Sequence, residues 1–251
     1  MTVKKGIDVS SYNSGLDYPT ISREINFAVL RAGFTGYGSG RSLNKDKLFE
    51  THYANFTKQK IPLGVYYYSC ADSEAEAIRE ANYLLTLLEG KKFSYPVFMD
   101  VEDSYHQQKL SKEALTKVVL AFCRVLEKAG YYVGVYANAY WWKNELDMEA
   151  LKSLDRWVAH YGVMTPGVSG DIWQHTETGK LPGYSGKLDL NWCYKDYPVI
   201  IQKAGLNGYE AANKTSKIIV KGEMGVEHEA KVTLAKQLLS ALGFVVSIEV
   251  S

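Results

Sequence analysis

Short apolar segments rich in β-branched and aromatic residues recur along the first half of the chain: KKGIDVSS, NFAVLRAG, IPLGVYYYS, YPVFMDVE and YYVGVYAN. Each has the length of a strand. Between them the apolar positions change period. Ala77, Ala81, Leu84, Leu85 and Leu88 share one helical face, with Ser73 and Glu76 forming a capping box at the start and Gly90 a stop at the end. Leu115, Val118, Val119, Phe122 and Leu126 repeat the pattern up to Gly130. KDKLFETHYANFTKQK and AYWWKNELDMEALKSL predict weaker helices of the same kind. Alternation of this type predicts a parallel sheet.

The rhythm then changes. RWVAHY, GDIWQHT and GKLDLNWC follow one another through connections too short for an ordinary crossover helix. Eight strands and five helices fit a closed α/β barrel whose last third has lost its helices. The alternative is an open doubly wound sheet, which would normally keep helices throughout. From Tyr197 the composition shifts again: VIIQKAGLNGYEAANKTSK reads as a strand and a polar linker. KIIVKG, a helix through Ala230, Leu234, Leu238, Ala241 and Leu242, and FVVSIEV complete a small α+β domain. The expected division is therefore 1–197 and 198–251. A core of that second size is marginal, and its strand edges invite pairing with the barrel or with another copy, a possible homo-oligomer.

Charge excludes some partners. Twenty-nine basic and 28 acidic residues are spread along the chain without a block of one sign, so no nucleic-acid or membrane surface is expected. No segment approaches the ~20 apolar residues of a membrane span, and the basic N-terminus lacks the apolar core of a signal peptide. A cytoplasmic, soluble chain is expected. Cys70, Cys123 and Cys193 show no CxxC spacing and read as small buried side chains. The 19 tyrosines suit a sugar-binding groove and suit plain packing as well.

One apolar segment carries chemistry. In YPVFMDVEDSYH, Asp100 and Glu102 are two residues apart and project from the same side of a strand. Two carboxyls so close in partly apolar surroundings do not both ionise easily, which leaves one of them a general acid. Asp8, near the end of the first strand, and Asp189, on the last, would join them if the barrel closes, since catalytic groups gather at one mouth of such barrels. A divalent metal on the carboxylates is the other use of such a cluster. The five dispersed histidines provide no HxH pair, and no metal or other cofactor is expected.

The ordered set GIDVS, GVYYYS, FMDVED, DIWQH and LDLNW, from about Lys4 to Tyr197, resembles the glycoside hydrolase family 25 lysozymes of bacteriophage endolysins and bacterial autolysins. The resemblance implies an irregular (β/α) barrel of five βα units and three trailing strands. It implies hydrolysis of the β-1,4 bond between N-acetylmuramic acid and N-acetylglucosamine in bacterial peptidoglycan. Glu102 would be the catalytic acid, Asp100 the second carboxylate, Asp8 and Asp189 supporting acids, and Tyr66 the tyrosine beside the reacting sugar. A D-x-E pair suits assistance by the substrate's own acetamido group, with Asp100 orienting it. Phe98, two positions before Asp100, departs from the D-x-D-x-E run of chitinase-like barrels.

In LRAGFTGYGSG, Arg31 keeps a positive charge, while the Gly-rich remainder predicts a mobile rim. Tyr136, Trp173 and Gln174 are expected at the substrate groove, and Trp141 and Trp142 either there or in helix packing. By position the C-terminal segment looks like an endolysin's wall-binding domain. Its six Lys and five Glu across 198–251 give no support to attraction by charge alone. A chain without an export signal fits an endolysin that acts on the wall after release from the host cytoplasm. The rival reading is a glycan-binding barrel without activity.

Overall fold

The alternation of buried and exposed positions resolves into a closed barrel in the computed structural model, which describes residues 3–36 and 40–211. The strands are β1 (Lys4–Val9), β2 (Phe27–Thr35), β3 (Leu43–Lys45), β4 (Leu63–Tyr68), β5 (Val97–Asp100), β6 (Val133–Asn138), β7 (Asp155–Ala159), β8 (Ile172–Gly179) and β9 (Leu188–Cys193). The connections hold α1 (Tyr18–Ile21), α2 (Phe49–Lys58), α3 (Glu74–Leu88), α4 (Lys112–Lys128) and α5 (Ala139–Asn144). Strands β1, β2 and β4 to β8 run parallel in sequence order. The last strand, β9, closes the ring antiparallel to both β8 and β1. The short return from β8 to β9 leaves no room for the crossover that a parallel neighbour needs.

Helix boundaries follow the chemistry of the caps. Ser73 accepts the Glu76 amide at the start of α3, and Ser111 accepts the Ala114 amide at the start of α4. The two helices pack on each other and on the outer face of the sheet through Ala77, Ala81, Leu84, Leu115, Val119 and Phe122.

Strand periodicity sorts side chains between two cores. Ile7, Ala28, Leu30, Val65, Val97, Met99, Val135 and Val158 face the helices. Phe27, Val29, Phe98, Tyr136, Trp157 and Ile172 face the barrel interior. Large interior rings need space opposite them, and glycine provides it. A Cβ on Gly6 would sit 2.4 Å from the Phe27 ring, and one on Gly134 would sit 2.5 Å from Phe98. The interior is thus packed at one end and polar at the other.

Two sequence expectations are corrected. The Gly-rich stretch after Arg31 is not simply a rim loop, because β2 continues to Thr35 and β3 pairs back onto it as an antiparallel hairpin. A register shift between Arg31 and Gly33 interrupts the alternation, so that Phe34 lies on the same side as Arg31. The stretch after Tyr197 is a helix, α6 (Tyr197–Ala204), and not a strand; Pro198 opens it and Gly205, in the left-handed region at φ 68°, ends it. Tyr197 and Ile201 plug the packed end of the barrel beside Phe27 and Tyr95. Buried Asn207 then binds the Tyr95 carbonyl and the Tyr132 amide.

The first compact unit consequently extends to Ala211, and the expected boundary at 197 falls on the first residue of α6. The second unit, 212–251, lies outside the described residues. The expectations of a wall-binding or self-associating domain and of a homo-oligomer fall on it.

Candidate active site

Because β1 and β5 run parallel, their carboxyl ends share one mouth; Asp8 sits near the end of β1, Asp100 ends β5, and Glu102 follows two residues later. Asp189 reaches the same mouth by the opposite route. It lies near the start of the antiparallel β9, directly across from Asp8 in the strand register. These four carboxyls line one cavity of about 210 Å³ together with Tyr66, Tyr136, Trp157, Tyr161, Gln174 and Glu177. Met99 and Val101 alternate outward to the helices, as strand geometry requires.

Asp8 is the most firmly held of the four. Its Oδ2 accepts hydrogen bonds from Gln174 Nε2 at 2.9 Å and Asn191 Nδ2 at 2.7 Å. Groups behind them hold both amides. The Trp157 indole donates to Asn191 Oδ1 at 2.8 Å, and the Tyr136 and Tyr161 hydroxyls donate to Gln174 Oε1 at 2.9 and 2.6 Å. The indole can only donate, which turns the Asn191 NH2 toward Asp8, and Gln174, accepting from both hydroxyls, presents its NH2 to the same carboxylate oxygen. Burial pushes the Asp8 carboxyl up to about 6, and the two amide bonds oppose that rise.

Asp100 is only 4% exposed, and its Oδ1 is buried without a hydrogen-bond partner among the described residues. Burial first, then the neighbouring Glu102 and Asp8, hold its carboxyl well above the ordinary range, with Arg31 opposing. Glu102 has solvent-exposed surface at the cleft, yet protein surrounds it on most sides. This poor hydration, followed by the charges of Asp8 and Glu177, raises it to about 7, while a hydrogen bond with Tyr136 lowers it. Asp189 is pushed up to about 8 by burial and then by Asp8, Glu177 and Glu102. Glu102 also lines the two cavities that flank the central one, and so stands where they meet.

The structure brings Tyr66, Arg31, Tyr136 and Gln174 to the cleft with the four acids. It does not bring Trp173. That side chain is 8% exposed, donates its indole N–H to the His160 carbonyl at 2.9 Å and packs edge-on against His175. Successive strand residues point to opposite faces, so Gln174 in the cleft places Trp173 outside the barrel. Trp173→Ala is therefore expected to lower stability by about 3–5 kcal/mol and to leave KM nearly unchanged. Thermal melts alongside saturation curves check this, and a large rise in KM with an unaltered melt would restore Trp173 to the groove. Trp141 and Trp142 are buried in the outer core, which settles them as packing.

Four residues of the site escaped the sequence reading. Asn191 lies two positions after Asp189 and so shares its face, a signal already present in LDLNW. Trp157 belongs to RWVAHY, whose pattern predicts a strand and nothing more. Tyr161 and Glu177 reach the cleft through loop geometry and strand irregularity, for which no local pattern exists.

Among the described residues, Cys70, Asp103 and His106 are grouped closely enough to consider as metal ligands. Their proximity has an internal cause. Asp103 Oδ2 accepts both the His106 amide at 2.6 Å and its Nδ1 at 2.9 Å, tying down the turn that follows Glu102.

Comparison with known proteins places this geometry in a family. Residues 7–184 match the model of glycosyl hydrolases family 25, and the chain belongs to that family. It is a glycoside hydrolase of the lysozyme class. The uncharacterized protein YegX of Escherichia coli K12 is 26% identical over 191 residues, covering 74% of this chain and 68% of YegX. Lysozyme M1 of Streptomyces globisporus is 26% identical over 204 residues, covering 74% of this chain and 66% of that protein. Among solved structures, the CTP1L endolysin superposes with a TM-score of 0.68 at 24% identity, covering 98% of this chain and 81% of that one. No helix among the described residues is long and apolar enough to cross a membrane.

Proposed function

We propose that the chain is a bacteriophage endolysin that cleaves the β-1,4 bond between N-acetylmuramic acid and N-acetylglucosamine in bacterial peptidoglycan. Glu102 is its acid. The observation that carries this reading is the pairing of a carboxyl raised to about 7 with the neighbouring buried Asp100 carboxyl, whose Oδ1 has no partner among the described residues. Protonated Glu102 gives its proton to the glycosidic oxygen as the C1–O bond breaks. Asp100 Oδ1 accepts the N–H of the acetamido group, which favours its ionised form and turns the acetamido oxygen toward C1. Bond formation there gives a cyclic intermediate. Water then attacks C1, returning its proton to Glu102 and restoring the acetamido group with retained configuration. Lysozyme M1 and the CTP1L endolysin support the assignment by name and fold respectively.

Analysis of the sugar at the reducing end of fragments from purified peptidoglycan tests it. Muramic acid there is the expected result. Glucosamine would mean a different glycosidase, and no new reducing end would mean no glycosidase at all. Trapping a covalent sugar adduct on Asp100 would remove the role given to the acetamido group. As an endolysin, the protein is expected to collect in the host cytoplasm and reach the wall after release.

The pH dependence follows from the raised carboxyls. Glu102 must carry its proton, so kcat/KM should fall as pH rises through about 7. Asp8 is held by donors that favour its charged form, so activity should also fall as pH drops through about 6. Asn191→Leu removes one of those donors and should move the acid limb upward. A pH–rate profile with an unmoved acid limb in this variant would show that the limb belongs to another group.

A further inference from the structure

The cleft has two arms of different charge. One, a cavity of about 520 Å³, is walled by Tyr12, Arg31, Phe34, Lys45 and Lys47 and ends at Asp100 and Glu102. The other, about 440 Å³, runs from Glu102 past Tyr136, Tyr140, Tyr161 and Glu177, and no lysine or arginine among the described residues lines it. Glu102 stands at the junction.

The cations of the first arm are not equally committed. Arg31 is held by Asp46 at 2.8 Å and Ser11 at 2.9 Å, with its guanidinium 5.1 Å from the centres of the Tyr12 and Phe34 rings. It shapes the wall and is already neutralised. Lys45 shares Glu50 with Lys91, at 2.5 and 3.2 Å, so that carboxylate serves two ammonium groups. Lys47 makes no ion pair among the described residues. The β2–β3 hairpin and the turn that follows it thus present surplus positive charge to the cleft, next to the 82% exposed Tyr12 ring.

Acetylated sugar rings are neutral and give such a wall nothing to attract. The short peptides attached to the lactyl group of muramic acid carry carboxylates. We propose that Lys45 and Lys47 form a subsite for the carboxylates of these stem peptides, so that the enzyme prefers peptide-bearing glycan and seats it with a substituted muramic acid on the hairpin side. This rests on the muramidase reading above. Neutral sugar contacts are left to the opposite arm, where the Tyr140 ring is 59% exposed.

The test compares the full-length protein with Lys45→Ala/Lys47→Ala and Lys47→Arg on two substrates: purified peptidoglycan with intact stem peptides, and the same glycan after an amidase has removed them. Release of reducing ends is followed at low salt. The double variant should lose about three- to tenfold in kcat/KM on the peptide-bearing polymer, mostly through KM, and much less on the stripped one. Lys47→Arg should retain the preference, and about 0.5 M NaCl should erase it in this variant and in the unaltered protein. Equal losses on both substrates, or no loss on the peptide-bearing one, overturn the subsite. Failure of the unaltered protein to release muramic acid reducing ends from either substrate overturns the muramidase reading itself, and the subsite with it.

Discussion

Replacing Glu102 by glutamine should abolish clearing of a Gram-positive wall suspension, with kcat/KM reduced by about 10²–10⁴. The amide keeps the size of the side chain and its reach to Tyr136, but it cannot deliver a proton to the leaving oxygen. Little structural damage is expected because Glu102 lies at the open cleft and not in either core. A folded variant by thermal melt, with binding to walls retained and turnover gone, is the expected outcome. Lytic power undiminished in the amide would end the assignment and favour the rival reading, a glycan-binding barrel, for any wall interaction that remained. Three cavities meeting at this one carboxyl make it the position with the most to lose.

Asp100→Asn should lower turnover by about 10²–10³ while making the protein harder to unfold at alkaline pH. The two effects have one source. A carboxyl whose folded-state pKa is raised above its unfolded value contributes stability that is fully present below the unfolded pKa and is lost as pH rises through the folded one. In the unaltered protein that loss accumulates from about pH 4 upward, and Asp189, raised to about 8, and Glu102 add to it. Asparagine cannot ionise. The variant's melting temperature should therefore exceed that of the unaltered protein by about 2–4 °C at pH 8 for each ~1 kcal/mol recovered, and the gap should narrow toward pH 4. A gap that does not change with pH would show that Asp100 is not held protonated by its surroundings.

The cleft thus concentrates carboxyls whose burial, and after it their mutual repulsion, opposes folding near neutrality. The packed end of the barrel offsets this, with Phe27 stacked on Tyr95 and Phe98 against Trp157 at ring distances of 4.5 and 5.1 Å. Stability at one end and chemistry at the other is the division expected of such barrels.

Much of this was legible in the chain itself, because strand alternation is a local property. The step of two between Asp100 and Glu102 places both on one face wherever the strand goes, and the caps at Ser73 and Ser111 act within a single turn. The same rule, applied strictly, separates Trp173 from Gln174 and joins Asn191 to Asp189. The aromatic ring of Trp173 suggests a sugar platform, but its parity in the strand points it away from the cleft. The β-branched residues after Tyr197 predict a strand, although Pro198 and Gly205 mark a helix of eight residues. Its burial against the barrel floor outweighs that propensity.

The sequence alone determined which residues alternate inward, where the main helices begin, and that two carboxyls share a strand face, since each depends on neighbours a few positions away. Only the tertiary structure decided that β9 runs antiparallel and so delivers Asp189 to the mouth across from Asp8. It also decided that Trp157 and Asn191 orient Asp8, and that the hairpin after Arg31 walls one arm with lysines. Those arrangements depend on closure of the ring and on a register shift between residues distant in the chain, for which no local period carries a signal.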